Sequence, residues 1–429
     1  MSFPRYAEYV DSGVEWLEAS PSNWGLFLGK RLFKQRKEKA YPRDEQLAAS
    51  QAFGVVPQKK MMTLTGNKVM LALGGTDTFR HVEENDFVIS LRSFEGGIEH
   101  SAYTGCVSPA YTVLTSIHTV VPLFYKYLFK SRPYIAALQA STDSLRDGKS
   151  ITFEQFGAIP LPNPSISEQT QIARFLDHET AKIDALIAEQ KRLIKLLQEK
   201  LHSLILSDIK NHNLPEERLQ HLVDVVRRPV TQLPDEDYVA LGLFNRGRGL
   251  FHKPAKKRDE MGDSDFFWIK QGDLIISGQF AWEGAVAMAT ELETGKVVSH
   301  RYPVIRGRRG GILTEYLFAL LTTSHGDFLL NENSRGAAGR NRPLNLNSLL
   351  KEKVKIPSIS KQELVANLVH RVNQIKLETQ MQKELLLERR STLISAVVTG
   401  KIDVRGWLPP SDESASDEEV QKVGLEASE

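Results

Sequence analysis

The chain writes one hexapeptide twice. Pro164-Ser165-Ile166-Ser167-Glu168-Gln169 returns as Pro357-Ser358-Ile359-Ser360-Lys361-Gln362, 193 positions later (357 − 164). Each copy follows a larger block of short strand-like runs and opens a long segment of helical periodicity. A duplicated block-plus-helix unit implies two similar heads held apart by two similar rods. That shape suits the reading of two separated sites on one long ligand.

After the first copy, Ile183, Ile187, Gln190, Ile194, Leu197, Leu201 and Leu204 step by four and three alternately, the spacing of a coiled-coil seam. Ser167, with Glu168, Gln169 and Gln171 behind it, is the expected N-cap. A helix from there to about Ile209, at 1.5 Å per residue, makes a rod of roughly 60 Å. The second rod is expected from Ser360, with a seam of Val365, Leu368, Val372, Ile375, Thr379, Gln382, Leu386, Arg389, Leu393 and Ala396, and Gly400 as its stop. Each rod carries one apolar stripe and needs a partner, and the tether between them favours pairing with each other. Gln190, Thr379 and Gln382 fall mid-seam. Either an antiparallel pairing buries these polar groups against each other and fixes the register, or the stretch is loosely packed and wet.

The blocks before the rods also correspond. Asp86-Phe87-Val88-Ile89-Ser90 matches Asp273-Leu274-Ile275-Ile276-Ser277, both read as strands. Val107-Ser108 with Tyr111 and Val113-Leu114 matches Val298-Ser299 with Tyr302 and Val304-Ile305. Pro122 to Leu138 reads as one helix, and Tyr127-Leu128-Phe129 matches Tyr316-Leu317-Phe318. The expected class is α+β: two mixed α/β domains (1–162 and 211–356), separated by two long antiparallel coiled-coil helices (163–210 and 357–405), in a pseudo-twofold internal repeat. Residues 406–429 form an acidic tail, expected to be disordered. Cys106 is the sole cysteine, so a disulfide framework and a Cys-rich zinc site are excluded. With no run of about 18 apolar residues and no signal-peptide core, the expectation is a soluble cytoplasmic protein.

These residues resemble the specificity subunit of type I restriction–modification systems. Four motifs in the family's order carry the resemblance: the opening Tyr6-Ala7-Glu8-Tyr9, Asp11-Ser12-Gly13-Val14-Glu15-Trp16-Leu17 and Trp24; both hexapeptides with their helices; and the close Leu393-Ile394-Ser395-Ala396-Val397-Val398-Thr399-Gly400-Lys401-Ile402-Asp403-Val404-Arg405. The likeness spans residues 1 to about 405, while Lys361 in place of Glu168 and Arg389 in the seam depart from it. It implies a non-catalytic subunit whose two domains each read half of a bipartite double-stranded DNA site, with the paired helices setting the unread gap. It also implies two methyltransferase subunits that modify adenine with S-adenosylmethionine, and a restriction subunit that translocates and cuts DNA with ATP and Mg. The chain itself is expected to hold no cofactor.

DNA half-sites read from one face lie about one turn, roughly 34 Å, apart, within reach of such a rod. The heads must then supply cations for phosphates and polar side chains for base edges. In the first head Lys30, Arg31 and Lys34 open a basic cluster that continues through Arg36, Lys37, Lys39 and Arg43, and Lys59, Lys60 and Arg92 sit among turn residues. In the second, Arg246 and Arg248, and Arg306 and Arg308, lie in glycine-rich runs. Two matched loops before the rods contribute Arg146 and Lys149, and Arg335, Arg340 and Arg342. Gln279 and Trp282 align loosely with Ser93 and Gly96 just after the matched strand, a place for base-reading side chains; Trp282 reads more readily as a core or edge aromatic. Charged surface loops and solvated helix faces present the same pattern, so each cation has a purely structural alternative.

Enzymatic motifs are missing from the sequence. The nearest string to an adenine-methyltransferase Asn/Asp-Pro-Pro-aromatic motif is Asn163-Pro164-Ser165, which fails, and there is no Walker-type phosphate loop. Glu189-Gln190-Lys191 matches a nuclease string but lies mid-rod, and the histidines show no metal-ligand spacing. The chain is therefore expected not to be an enzyme itself, in keeping with the non-catalytic DNA-recognition subunit that the resemblance implies. The rival reading is a two-headed coiled-coil scaffold that never touches DNA.

Overall fold

A computed structural model of the chain describes residues 3–66, 75–117, 120–141, 151–231, 236–334 and 342–409. It divides into two compact units, one of residues 1–187 with 383–429 and one of residues 188–382. Each unit therefore holds one mixed block and part of both long helices.

In the first unit, strands β1 (Phe33–Arg36), β2 (Phe87–Ile89), β3 (Glu99–His100) and β4 (Thr112–Ser116) form an antiparallel sheet in the order β1-β4-β2-β3. Side chains alternate across a strand, so this sheet serves two cores. Phe33, Phe87, Ile89 and Leu114 face one cluster, and Val88 and Val113 face the other. Phe33 is fully buried, its ring 5.1 Å from Tyr125, 5.4 Å from Phe129 and 5.6 Å from Phe87. Helices α1 (Pro122–Leu128) and α2 (Arg132–Ala140) follow. The single helix expected over 122–138 is thus two. Ser131 is extended, and Pro133 lacks an N–H and would meet the carbonyl four residues back, so the helix restarts.

The second unit repeats this plan with β5 (Val223–Val225), β6 (Leu274–Ile276), β7 (Val286–Met288) and β8 (Val304–Gly307) in the order β5-β8-β6-β7. Leu274, Ile276 and Ile305 face the larger cluster; Ile275 and Val304 face the smaller. The helices after its sheet fall at Thr314–Leu321 and Ser324–Glu332.

The long helices are α3 (Ile166–Lys210) and, beyond the second sheet, α6 (Ile359–Val398); of the short helices before α6, α4 is Thr314–Leu321 and α5 is Ser324–Glu332. Ser165, not Ser167, caps α3: its hydroxyl accepts from Glu168 N at 3.3 Å. Ser358, not Ser360, precedes α6, and its carbonyl accepts from Lys361 N and Gln362 N. The start lies two residues earlier than expected because Pro164 and Pro357 end the preceding extended run, leaving the next serine as cap. Gly400 ends α6 with φ +75°, Gly400 N bonding Val397 O and Lys401 N bonding Ala396 O. This is a Schellman stop.

Within each unit the helix segments run antiparallel. In the second, Lys361 pairs with Asp208, and the Gln190 amide donates to Gln382 Oε1 at 2.6 Å. In the first, Arg390 approaches Asp184 at 3.8 Å. The expected seam is followed at Ile183, Ile187, Leu201, Val365, Val372 and Leu393, all buried. It fails at Arg389, which is exposed while Arg390 turns inward, and Gln382 meets its partner on the exposed side. The amide contact therefore forms without being buried.

Candidate nucleic-acid interface

Each block is fastened to its own long helix by one buried glutamine. Gln169 accepts from Val121 N at 2.7 Å and donates to Pro164 O at 2.8 Å and Asn163 Oδ1 at 2.8 Å. Gln362 accepts from Leu313 N at 2.7 Å and donates to Pro357 O at 3.0 Å and Gly311 O at 3.2 Å. Both glutamines thus satisfy the orphan first N–H of a short helix, α1 or α4. This contact corrects the match drawn from sequence between Tyr127 and Tyr316. Val121 corresponds to Leu313, and Ser131, bonding Leu128 O, corresponds to Thr323, bonding Leu320 O, so Tyr127 stands opposite Ala319.

The residues beside the glutamines differ. Glu168 is buried and accepts from Tyr6 Oη at 2.6 Å, Trp24 Nε1 at 2.9 Å and Asn23 Nδ2 at 3.1 Å. Lys361 instead pairs with the buried Asp208, which also accepts from Tyr316 Oη at 3.2 Å. Glu168 thus meets three neutral donors, whereas Lys361 meets a carboxylate.

A second shared device fixes the turns at the two ends of β2 and of β6. Asp86 is buried at the entry to β2, bonded by Arg36 Nε at 2.7 Å and Glu83 N at 2.8 Å. Asp273 is fully buried at the entry to β6, bonded by Arg228 at 2.7 and 3.1 Å, Arg306 Nε at 2.5 Å and Lys270 N at 2.9 Å. At the exits of these strands, Ser90 Oγ accepts from Arg92 N at 3.4 Å and Ser277 Oγ accepts from Gln279 N at 3.4 Å. Gln279 is thereby opposite Arg92, one position from the Ser93 with which it aligns in sequence.

The cations singled out in the sequence divide into free and committed groups. In the first unit Lys30 and Arg31 are exposed on the short helix Gly29–Leu32, Lys34 on β1 and Lys59 on the helix Gln58–Thr65. Lys60 donates to Tyr103 Oη at 2.6 Å and lies over its ring. Arg36, counted in the basic cluster, is spent on Asp86, Glu38 and Glu83. In the second unit Arg306 is committed to Asp273, and Arg308 bonds Asp224 at 2.7 Å and His221 O at 3.3 Å.

The other second-unit residues gather around the turn after β6. Arg246 N bonds Glu283 O at 3.0 Å and Gly247 N bonds Gly284 O at 2.8 Å, joining the 245–249 turn to it. Arg246 sits at φ +58°, a left-handed conformation that costs a non-glycine residue roughly 1 kcal/mol. Arg342 lies 5.3 Å from the centre of the Trp282 ring, and Leu344 N bonds Gly278 O at 2.8 Å. Arg248 stacks on Phe244. With Arg306, it also lines a groove of about 970 Å³ that reaches His370, Lys376 and Leu377 of α6. Arg146, Lys149, Arg335 and Arg340, like the tail from residue 410, lie outside the described residues.

Among the described residues no cluster of His, Cys, Asp and Glu is placed to hold a metal ion, and no helix is long and apolar enough to cross a membrane. Burial raises the Cys106 thiol to about 11, which keeps it an unreactive thiol. Burial likewise raises Glu99 to about 7, against the pull of Lys130, and lowers His100 to about 4. Glu99 and His100 are neighbours on β3, Glu99 fully buried against Lys130 and His100 half-buried beside Asn85. Asp86, Asp273 and the two glutamines carried no local signal in the sequence beyond their recurrence at matched positions, and Asp208 carried not even that.

No protein-family model matches the sequence, and no curated protein does. Solved structures do. A chain from a structure described as the basis of complex assembly and conformational transition of the type I R-M system aligns at 14% identity and TM-score 0.51, covering 88% of this chain and 98% of that one. The HsdS subunit from Thermoanaerobacter tengcongensis (13% identity, TM-score 0.46, 89% and 98% covered) and the S subunit from M. genitalium (15%, 0.44, 87% and 96%) also align. In fold, this chain is similar to a component of the type I restriction–modification system.

Proposed function

We propose that the chain is the sequence-specificity subunit of a type I restriction–modification complex. Its two blocks each bind half of a bipartite double-stranded DNA site. Two methyltransferase subunits using S-adenosylmethionine then modify adenine there, or restriction subunits using ATP and Mg cut the DNA. The chain recognises and does no chemistry. The observation that carries this reading is that one sheet, with the same buried carboxylate and the same serine-held turn, is built twice, each copy fastened by a glutamine to its own long helix. A turn on the end of a rigid strand holds a side chain steadily enough to discriminate base edges. Lys30, Arg31, Lys34, Lys59 and Arg246, whose side chains make no ion pair among the described residues, supply phosphate contacts together with Arg342, which rests on Trp282 and donates to Asn331 Oδ1 at 3.5 Å. The two long helices serve as the gauge of the unread gap and, with adjoining surfaces, as the seat of the methyltransferase subunits.

A salt series tests DNA recognition against the scaffold alternative. The complex with its modification partner is titrated onto fluorescent duplex DNA, and affinity is expected to fall linearly in log–log form, by about 0.9 per phosphate neutralised. Absence of DNA binding at low salt refutes the reading. Inserting four residues, about one turn, into α3 tests the gauge: the unread gap should change while both half-sites stay, and an unchanged gap would mean the helices do not set it.

A further inference from the structure

Arg92 and Gln279 occupy one structural position in two copies of one turn. Each lies two residues beyond a serine that ends the second strand of the chain in its four-stranded sheet, and that serine's hydroxyl accepts the backbone N–H of the residue in question at 3.4 Å. The strand is held at its other end by a buried aspartate that bonds a guanidinium and the backbone N–H three residues back. The strand that leads into the turn is thus fixed at both ends, in both units, by the same kinds of contact.

What the two positions present differs in chemistry and agrees in availability. Both residues are exposed. Their side chains make no hydrogen bond or ion pair among the described residues, whereas Arg36, Arg228, Arg306 and Arg308 are each taken up by a carboxylate. A free guanidinium offers two parallel donors, which match the O6 and N7 acceptors of guanine. A free glutamine amide offers one donor and one acceptor, which match N7 and the exocyclic amine of adenine. In the second unit, Arg342 on Trp282 and Arg246 beside Glu283 place cations near the same turn, where phosphates flanking a read base would lie.

We infer that this turn is the base-reading element of each unit, Arg92 specifying a guanine in one half-site and Gln279 an adenine in the other. The inference rests on the DNA-recognition reading above and adds to it which residue reads which base. It also makes the two half-sites separately editable through one residue each.

The test is selection from a randomised duplex library by the chain assembled with its modification partner. Wild-type protein, Arg92→Gln and Gln279→Arg are compared, with Arg92→Ala and Gln279→Ala as truncations and thermal melts as the check on folding. Arg92→Gln should change one guanine of one half-site to adenine and leave the other half-site untouched; Gln279→Arg should do the converse in the other half. Each alanine variant should lose preference at that single position by roughly 5- to 150-fold. Selected motifs identical to wild type in all four variants overturn the inference. So does a uniform fall in affinity over all sequences, which marks a phosphate contact. If the wild-type complex selects no bipartite motif at all, the DNA-recognition reading fails first and this one falls with it.

Discussion

Replacing Asp273 with asparagine tests how the second sheet holds its reading turn. The carboxylate is fully buried and receives four hydrogen bonds, from Arg228 twice, Arg306 and Lys270 N. Asparagine keeps one acceptor oxygen but turns an amide N–H₂ toward a guanidinium, so donors face donors. Removing one partner of a buried ion pair costs about 3–5 kcal/mol. Arg228 and Arg306 are 24% and 36% exposed and can recover water, which places the cost at the low end, about 3 kcal/mol. Hydrogen exchange read by mass spectrometry localises the effect. Amides of β6 and β8 should exchange about 150-fold faster, the equivalent of 3 kcal/mol, while those of β2 and β4 stay unchanged. A change in β6 and β8 below about fivefold would mean the carboxylate does not hold the sheet. The same reasoning moves Arg306 from DNA contact to structural support: Arg306→Ala should loosen β6 before it alters the salt dependence of DNA binding.

Three further expectations follow from the geometry. Because burial raises Glu99 to about 7, its contribution to stability is present below the unfolded value near 4.5 and is lost as pH rises through 7. The stability of Glu99→Gln relative to wild type should therefore climb between pH 4.5 and 7.5, by up to about 3 kcal/mol, and a pH-independent difference in urea midpoints refutes this. At Gly400 a Cβ would lie 2.3 Å from Pro21 Cδ, on a backbone at φ +75°; Gly400→Ala should cost about 2 kcal/mol or more, and an unchanged melting temperature would contradict it. Arg246→Ala with Arg342→Ala should lower DNA affinity and reduce the log–log salt slope by about 2 while leaving assembly with the modification partner intact; an unaltered slope removes both residues from the phosphate contacts.

Local pattern in the chain foretold local structure. The stepping of Ile183, Ile187 and Leu201, and the glycine after Thr399, depend on neighbours a turn away, so periodicity and capping chemistry found them. The serine–proline pairs gave the helix starts, but two serines stand in each hexapeptide and only the preceding proline decides between them. What the sequence hid is tertiary. A count of cations cannot separate Arg92, whose side chain pairs with none of the described residues, from Arg36 and Arg306, whose carboxylate partners lie 50 and 33 positions away. Nor could heptad arithmetic show that α6 turns Arg390 rather than Arg389 inward: a straight helix drifts from the strict seven-residue repeat. Gln169 and Gln362 were visible as the conserved end of the repeated hexapeptide, yet their role needed the backbone N–H groups of Val121 and Leu313, 48 and 49 positions away.

The central claim is that two blocks on two helices read two half-sites. Its most direct test is methylation-sensitive sequencing of a host lacking other adenine methylation, expressing this chain with its modification partner. The account predicts a single modified motif of two short specified halves around a fixed unspecified gap. An unmethylated genome, with the assembled complex recovered from the same cells, would contradict it.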